Sequence, residues 1–151
     1  MTPHKIRPAR PDDHPAIEAL QRRASLAGPE HREQLLAHPD ALGLDPGEIA
    51  AGRVLVATAE SGLTGYANWI AGAGPYEAEL DGLFVDPARW RDGIGRALVE
   101  AIAAVVRSDH RRQLRVIAGP AAVGFYLRCG FAIVGQATTR FGPAQQMARA
   151  L

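Results

Sequence analysis

Cysteine occurs once, as Cys129, so the chain cannot close a disulfide within itself, which is consistent with a reducing compartment. Spacing places no histidine beside that thiol, and a buried structural cysteine is the expectation rather than a nucleophile. The histidines His4, His14, His31, His38 and His110 form neither an i, i+4 pair nor a His-x-His pair, so no metal site is expected. No apolar run approaches the roughly 18 residues of a membrane-spanning helix, and Met1 to Pro8 lacks the apolar centre of a secretory leader. The expected location is the cytoplasm, with no membrane partner. An excess of either charge is missing too: 17 Lys and Arg against 16 Asp and Glu leave +1, which gives no bulk electrostatic reason to expect nucleic acid. Internal repeats, linkers and low-complexity tracts are absent.

What remains is 151 residues, enough for one domain spanning 1–151 that buries about two-thirds of its unfolded surface. Lys5 to Arg10 reads as a strand ended by Pro11. Asp12 or Asp13 can cap a following helix, with Ile17, Leu20 and Ala24 as its apolar stripe up to about Gly28. Glu30 to Ala37 reads as a second helix and His38 to Gly52 as a long turn-rich loop. Arg53 to Ala59, Gly65 to Ala71 and Glu77 to Val85 read as strands joined by hairpin-length turns. A helix then leads to a strand at Leu114 to Ile117, and a connection through a helix implies parallel pairing with the strand ending at Val85. Ala121 to Cys129 is a short helix stopped by Gly130. Phe131 to Thr138 and Gln145 to Leu151 close the chain. The order is β-α-α-β-β-β-α-β-α-β-β, a mixed α/β fold.

The most informative stretch runs from Leu83 to Leu98. After Gly93 the apolar residues Ile94, Ala97, Leu98, Ala101, Ile102 and Val105 fall on one helical face. Gly93 and Gly95 stand at the start of that helix, although glycine costs roughly 1 kcal/mol against alanine inside a helix. A helix N-terminus carries unpaired amides and the positive end of the dipole, and side chains without Cβ let a phosphate come close. Arg91 and Arg96 add positive charge. A phosphate cradle is one reading of this turn; a plain tight turn or close helix packing is the other. A P-loop would need Gly-Lys-Ser/Thr, whereas Gly95 is followed by Arg96 and Ala97.

With its strand, turn and Gly93-Ile94-Gly95, the stretch resembles the cofactor motif of the GNAT superfamily of N-acetyltransferases, Gln/Arg-x-x-Gly-x-Gly/Ala. Trp90 stands at the motif's first position. Phe125-Tyr126-x-x-x-Gly130-Phe131 is similar to the family's late motif, with Gly119-Pro120-Ala121 where an asparagine is often found. Two motifs in the right order, with a helix and a strand between, carry the resemblance over roughly residues 5 to 151. The tail from Thr139 to Met147 is similar to a subgroup of small members.

The resemblance implies an acetyl-CoA-dependent N-acetyltransferase in which an amine attacks the thioester directly in a ternary complex. The competing class is a non-catalytic acyl-CoA sensor or interaction module. The implied cofactor contacts are backbone at Leu83, Phe84 and Val85, the turn residues Arg91, Asp92, Gly93, Ile94, Gly95 and Arg96, and Tyr126. Gly82, inside the strand, marks a bulge there or next to it. Tyr126 is the implied general acid; the alternative is that it packs with Ala122 and Cys129. Glu79 and Asp81, alternating onto one strand face with Glu77, are the general-base candidates. The partners implied are acetyl-CoA and an amine-bearing acceptor. Many members dimerise, and no apolar seam in the sequence decides for or against a homodimer. Glu30, Glu33, Asp40, Asp45 and Glu48 would favour a cationic acceptor if they faced the cleft.

Overall fold

Alternation of apolar and polar residues converts most of this sequence into sheet. In β4 (Glu77–Val85) Ala78 and Leu80 are buried while Glu77 and Glu79 stay half-buried and Asp81 is exposed, the period of two that a pleated strand imposes. The computed structural model describes residues 4–27 and 43–151. The helix expected over Glu30 to Ala37 lies outside them.

The other elements are β1 (Lys5–Pro8), α1 (His14–Ala27), α2 (Pro46–Ala50), β2 (Val54–Ala59), β3 (Gly62–Ala71), α3 (Ile94–Ser108), β5 (Gln113–Ala118), α4 (Val123–Arg128), β6 (Ala132–Thr139) and β7 (Gly142–Ala150). Single 3-10 turns occur at Pro11–Asp13, Pro87–Arg89 and Pro120–Ala122. The seven strands form one mixed sheet in the order β1-β2-β3-β4-β5-β7-β6, and apart from α2 the expected succession of strands and helices holds among the described residues.

By internal contacts the chain divides into two units, Met1–Asn68 with Gly82–Ala101, and Trp69–Asp81 with Ile102–Leu151. In the first, β1 and β3 flank β2 in antiparallel register. Ile17 and Leu20 of α1 pack with Ile49, Val54, Val56 and Tyr66, and Phe84 stacks on Tyr66 with ring centroids 5.4 Å apart. Burying each such aliphatic side chain contributes about 1.5–3 kcal/mol. Asp13 stands just ahead of α1, in a capping box with Arg10. It accepts a two-pronged hydrogen bond from Arg7 (2.8 and 3.0 Å) and another from the Arg10 amide (2.7 Å), which fastens the corner between β1 and the helix.

The segment His38 to Gly52, read as loop, contains α2. Asp45 caps it by accepting from the Gly47 amide at 2.9 Å, with Pro46 in the first turn. The same Asp-Pro-Gly chemistry serves turns and helix starts alike. Glu48 pairs with Arg53 at 2.9 Å, so its charge is already answered within the chain.

In the second unit, β4 pairs in parallel with β5 from Glu77–Gln113 to Leu80–Val116, as the intervening helix implied. β7 lies antiparallel to both β5 and β6. Gly130, at φ +88°, stops α4 as expected. The Arg111 guanidinium donates to the carbonyls of Glu77 (2.9 Å) and Pro75 (3.4 Å) and lies 5.6 Å from the Trp69 ring, tying the β3–β4 connection down.

The stripe expected on α3 is rotated. Ile94, Leu98 and Ile102 are buried as expected, but Val99, Ala103 and Val106 are buried with them, whereas Ala97 is exposed and Ala101 and Val105 are only half-buried. Valine and alanine occur nearly all round this helix, and the larger Val99 and Val106 bury more surface than Ala97 can.

Candidate active site

Strand β4 delivers its last residues into a turn held by several short bonds. The Asp86 amide donates to the Thr64 carbonyl at 2.8 Å, the Arg89 amide to the Asp86 carbonyl at 2.8 Å, and the Asp86 side chain caps the 3-10 turn by accepting from Ala88 N at 3.1 Å. Trp90, at the motif's unusual first position, is 54% exposed rather than packed inside. Its indole N–H donates to the Val85 carbonyl at 2.9 Å, so the ring clips the turn to the strand end.

Gly93 has φ +78°, a left-handed conformation that costs a non-glycine residue about 1–3 kcal/mol, and a Cβ built on it would meet nothing within 4 Å. Its surface is bare. The first helical bond of α3 runs from Ala97 N to the Gly93 carbonyl at 3.1 Å, which leaves the amides of Ile94, Gly95 and Arg96 without an acceptor inside the helix. Arg91 and Arg96 are exposed on either side. The Ile94 side chain is buried, so only its backbone can serve a ligand. The Asp92 carboxylate is engaged by Arg89 at 3.8 Å. The arrangement can hold an anion by backbone donors, dipole and two guanidinium groups.

Gly82 is explained by close approach: a Cβ there would come within 2.5 Å of Asn68 Oδ1, on a side chain that is itself buried. The β4–β5 register ends at Leu80–Val116 among the described residues, while β4 continues through Leu83, Phe84 and Val85.

In the second unit a cavity of about 400 Å³ is lined by Glu77, Glu79, Arg115, Ile117 and Gln146, among others. Glu79 is the cross-strand partner of Arg115. Burial raises the Glu79 carboxyl above its ordinary range, the neighbouring Asp81 carboxylate raises it further, and Arg115 opposes both. Asp81 is exposed and does not line the cavity.

Tyr126 is buried in α4, edge-on to Phe125 (5.1 Å) and Phe131 (5.4 Å). Burial first, and the Cys129 thiol second, push its phenol up, so it stays protonated well past neutral pH. It does not line the cavity that holds Glu79.

Thus one unit gathers Leu83, Phe84, Val85 and the turn from Arg91 to Arg96, and the other holds Glu79, Asp81 and Tyr126. Sequence reasoning missed Arg115 and Gln146. Their signal was the alternation of β5 and β7, legible only once the parallel register placed Arg115 beside Glu79.

Residues 50–133 match a family model described as an acetyltransferase (GNAT) domain. Comparison with curated proteins finds no match. Among solved structures the chain is similar to PaiA N-acetyltransferase from Thermoplasma acidophilum in complex with coenzyme A, at 18% identity, 99% of both chains and a TM-score of 0.77. It is also similar to a GCN5-related N-acetyltransferase from Rhodopseudomonas palustris (21% identity, 100% of this chain and 98% of that one, TM-score 0.77). A third likeness is to an acetyltransferase of the GNAT family from Streptococcus pneumoniae (21% identity, 99% of both chains, TM-score 0.75). At these identities the structural likeness speaks for the fold.

Proposed function

The chain belongs to the GNAT family of acetyltransferases, and from that premise we propose that it moves the acetyl group of acetyl-coenzyme A to a primary amine by direct attack in a ternary complex. The observation that carries the reading is the Gly93 turn, whose bare left-handed glycine and unpaired amides open α3 between two exposed arginines. A diphosphate fits that cradle by charge and by the absence of Cβ atoms. The amides of Ile94, Gly95 and Arg96 hold it, with Arg91 and Arg96 adding charge. Backbone of β4 from Leu83 to Val85 receives the amide-bearing arm.

When bound, the thioester supplies an activated acyl carbon. The chain's own groups then divide the work. Glu79 takes the proton from the attacking amine, for which a carboxyl raised by burial is suited. A backbone N–H between Leu83 and Val85 polarises the carbonyl. As nitrogen bonds to the acyl carbon and the C–S bond breaks, the Tyr126 hydroxyl donates a hydrogen bond to the departing sulfur. A phenol pushed up by burial gives that stabilisation without surrendering its proton completely.

Cofactor choice comes first. Acetyl-coenzyme A at about a hundred times its Kd raises the stability of the folded protein by about 2.7 kcal/mol, read as a rise in Tm; an unchanged melting curve contradicts the reading. An amine panel with detection of released thiol then separates an enzyme from a sensor. Tyr126→Phe lowers kcat by about 10- to 100-fold, the worth of one hydrogen bond to a developing charge, and leaves the Kd for acetyl-coenzyme A nearly intact. Equal turnover of wild type and variant across pH removes Tyr126 from the chemistry.

A further inference from the structure

We infer that the acceptor amine carries a carboxylate close to its nitrogen, as an amino acid does, and that Arg115 receives it; this rests on the acyl-transfer reading above. The parallel register places Glu79 and Arg115 directly beside each other on neighbouring strands, about 4.8 Å apart in backbone terms. Both line the cavity of about 400 Å³, and Glu77 lies two residues before Glu79 on the same strand face.

The acid and the guanidinium do not neutralise each other by contact. Among the described residues Arg115 makes no ion pair within 4.0 Å, although Arg53, Arg89 and Arg111 do. Arg115 donates to Gln113 Oε1 at 3.3 Å, which uses one of the five N–H groups in its planar fork. A half-buried cation with donors to spare, in the cavity that holds the base, discriminates by charge.

A diamine would leave Arg115 unpaired, its second positive charge falling to Glu77, and a purely apolar amine would desolvate the guanidinium without pairing it. Both cost free energy. An amino acid answers Glu79 and Arg115 together, with nitrogen at Glu79 and carboxylate on the Arg115 fork, a geometry that a guanidinium binds bidentately. The volume leaves room for a side chain. Ile117, 47% exposed, gives that side chain an apolar wall, and Gln146 gives it an amide.

The test uses the whole purified chain, saturating acetyl-coenzyme A and thiol detection, with amino acids each matched to its carboxamide and to its decarboxylated amine. The expected result is a kcat/KM at least about tenfold higher for one or more amino acids than for the matched amides. Arg115→Gln collapses that ratio toward one, chiefly through KM, and Arg115→Lys keeps part of it, which a merely structural role would not produce. The inference is overturned if amides or decarboxylated amines are used as well as the acids throughout. It is equally overturned if Arg115→Gln lowers kcat with the ratio intact, or if the protein binds acetyl-coenzyme A and acetylates no amino acid. A separate titration distinguishes the two readings: failure to bind acetyl-coenzyme A removes acyl transfer itself, whereas binding with turnover indifferent to the carboxylate removes only this inference.

Discussion

Replacing Glu79 with glutamine lowers kcat/KM for the amine by about 10²- to 10⁴-fold, the usual worth of a positioned general base, while acetyl-coenzyme A binds as before. The substitution keeps the shape and the hydrogen-bonding capacity of the side chain and removes its ability to take a proton. The pH profile is the sharper readout. Because burial and the Asp81 carboxylate raise the Glu79 carboxyl, it gains its proton at a higher pH than an ordinary glutamate does. Activity in the wild type is therefore lost on the acid side before a normal carboxylate would titrate.

Two neighbours move that limb in opposite directions. Asp81→Asn removes a like charge and shifts it to lower pH. Arg115→Gln removes an opposing charge and shifts it to higher pH. Tyr126, pushed up by burial, contributes no falling limb below about pH 10. An acid limb that persists unchanged in Glu79→Gln assigns the base elsewhere.

Local chemistry was legible in the sequence and long-range chemistry was not. The bounds of β4 and the turn at Gly93 could be read because strand alternation and glycine at a helix start are written in adjacent residues. The parallel pairing of β4 with β5 followed from the helix between them. The buried face of α3 was misjudged because Ala97 and Ala103 look alike to any periodicity, and only the large side chains Val99 and Val106 decide which way the helix turns. The short helix α2 was hidden because Asp45, Pro46 and Gly47 spell a turn as readily as a cap.

At the site, the same distinction holds. Glu79 was selected for its place on a strand, yet the partner that tunes it, Arg115, is remote in sequence and adjacent only through sheet register. Asn68 likewise crowds residue 82, and nothing near Gly82 in the chain announces it.

The second large effect concerns the phosphate cradle. A side chain at Gly93 would project into space that no protein atom occupies within 4 Å, so it threatens a ligand far more than the fold. Asparagine tolerates a positive φ better than other residues with a Cβ, and leucine at residue 95 is a stronger helix former than glycine. The double variant Gly93→Asn/Gly95→Leu is thus chosen to fold while filling the cradle.

Its circular dichroism and Tm establish that it folds. Titration calorimetry with acetyl-coenzyme A, run beside the wild type, then measures the claim on which the functional account stands, that the bare amides opening α3 hold the acyl donor. The expected Kd of the double variant is at least about tenfold weaker, a loss of about 1.4 kcal/mol or more. A folded double variant that binds acetyl-coenzyme A as tightly as the wild type contradicts that claim.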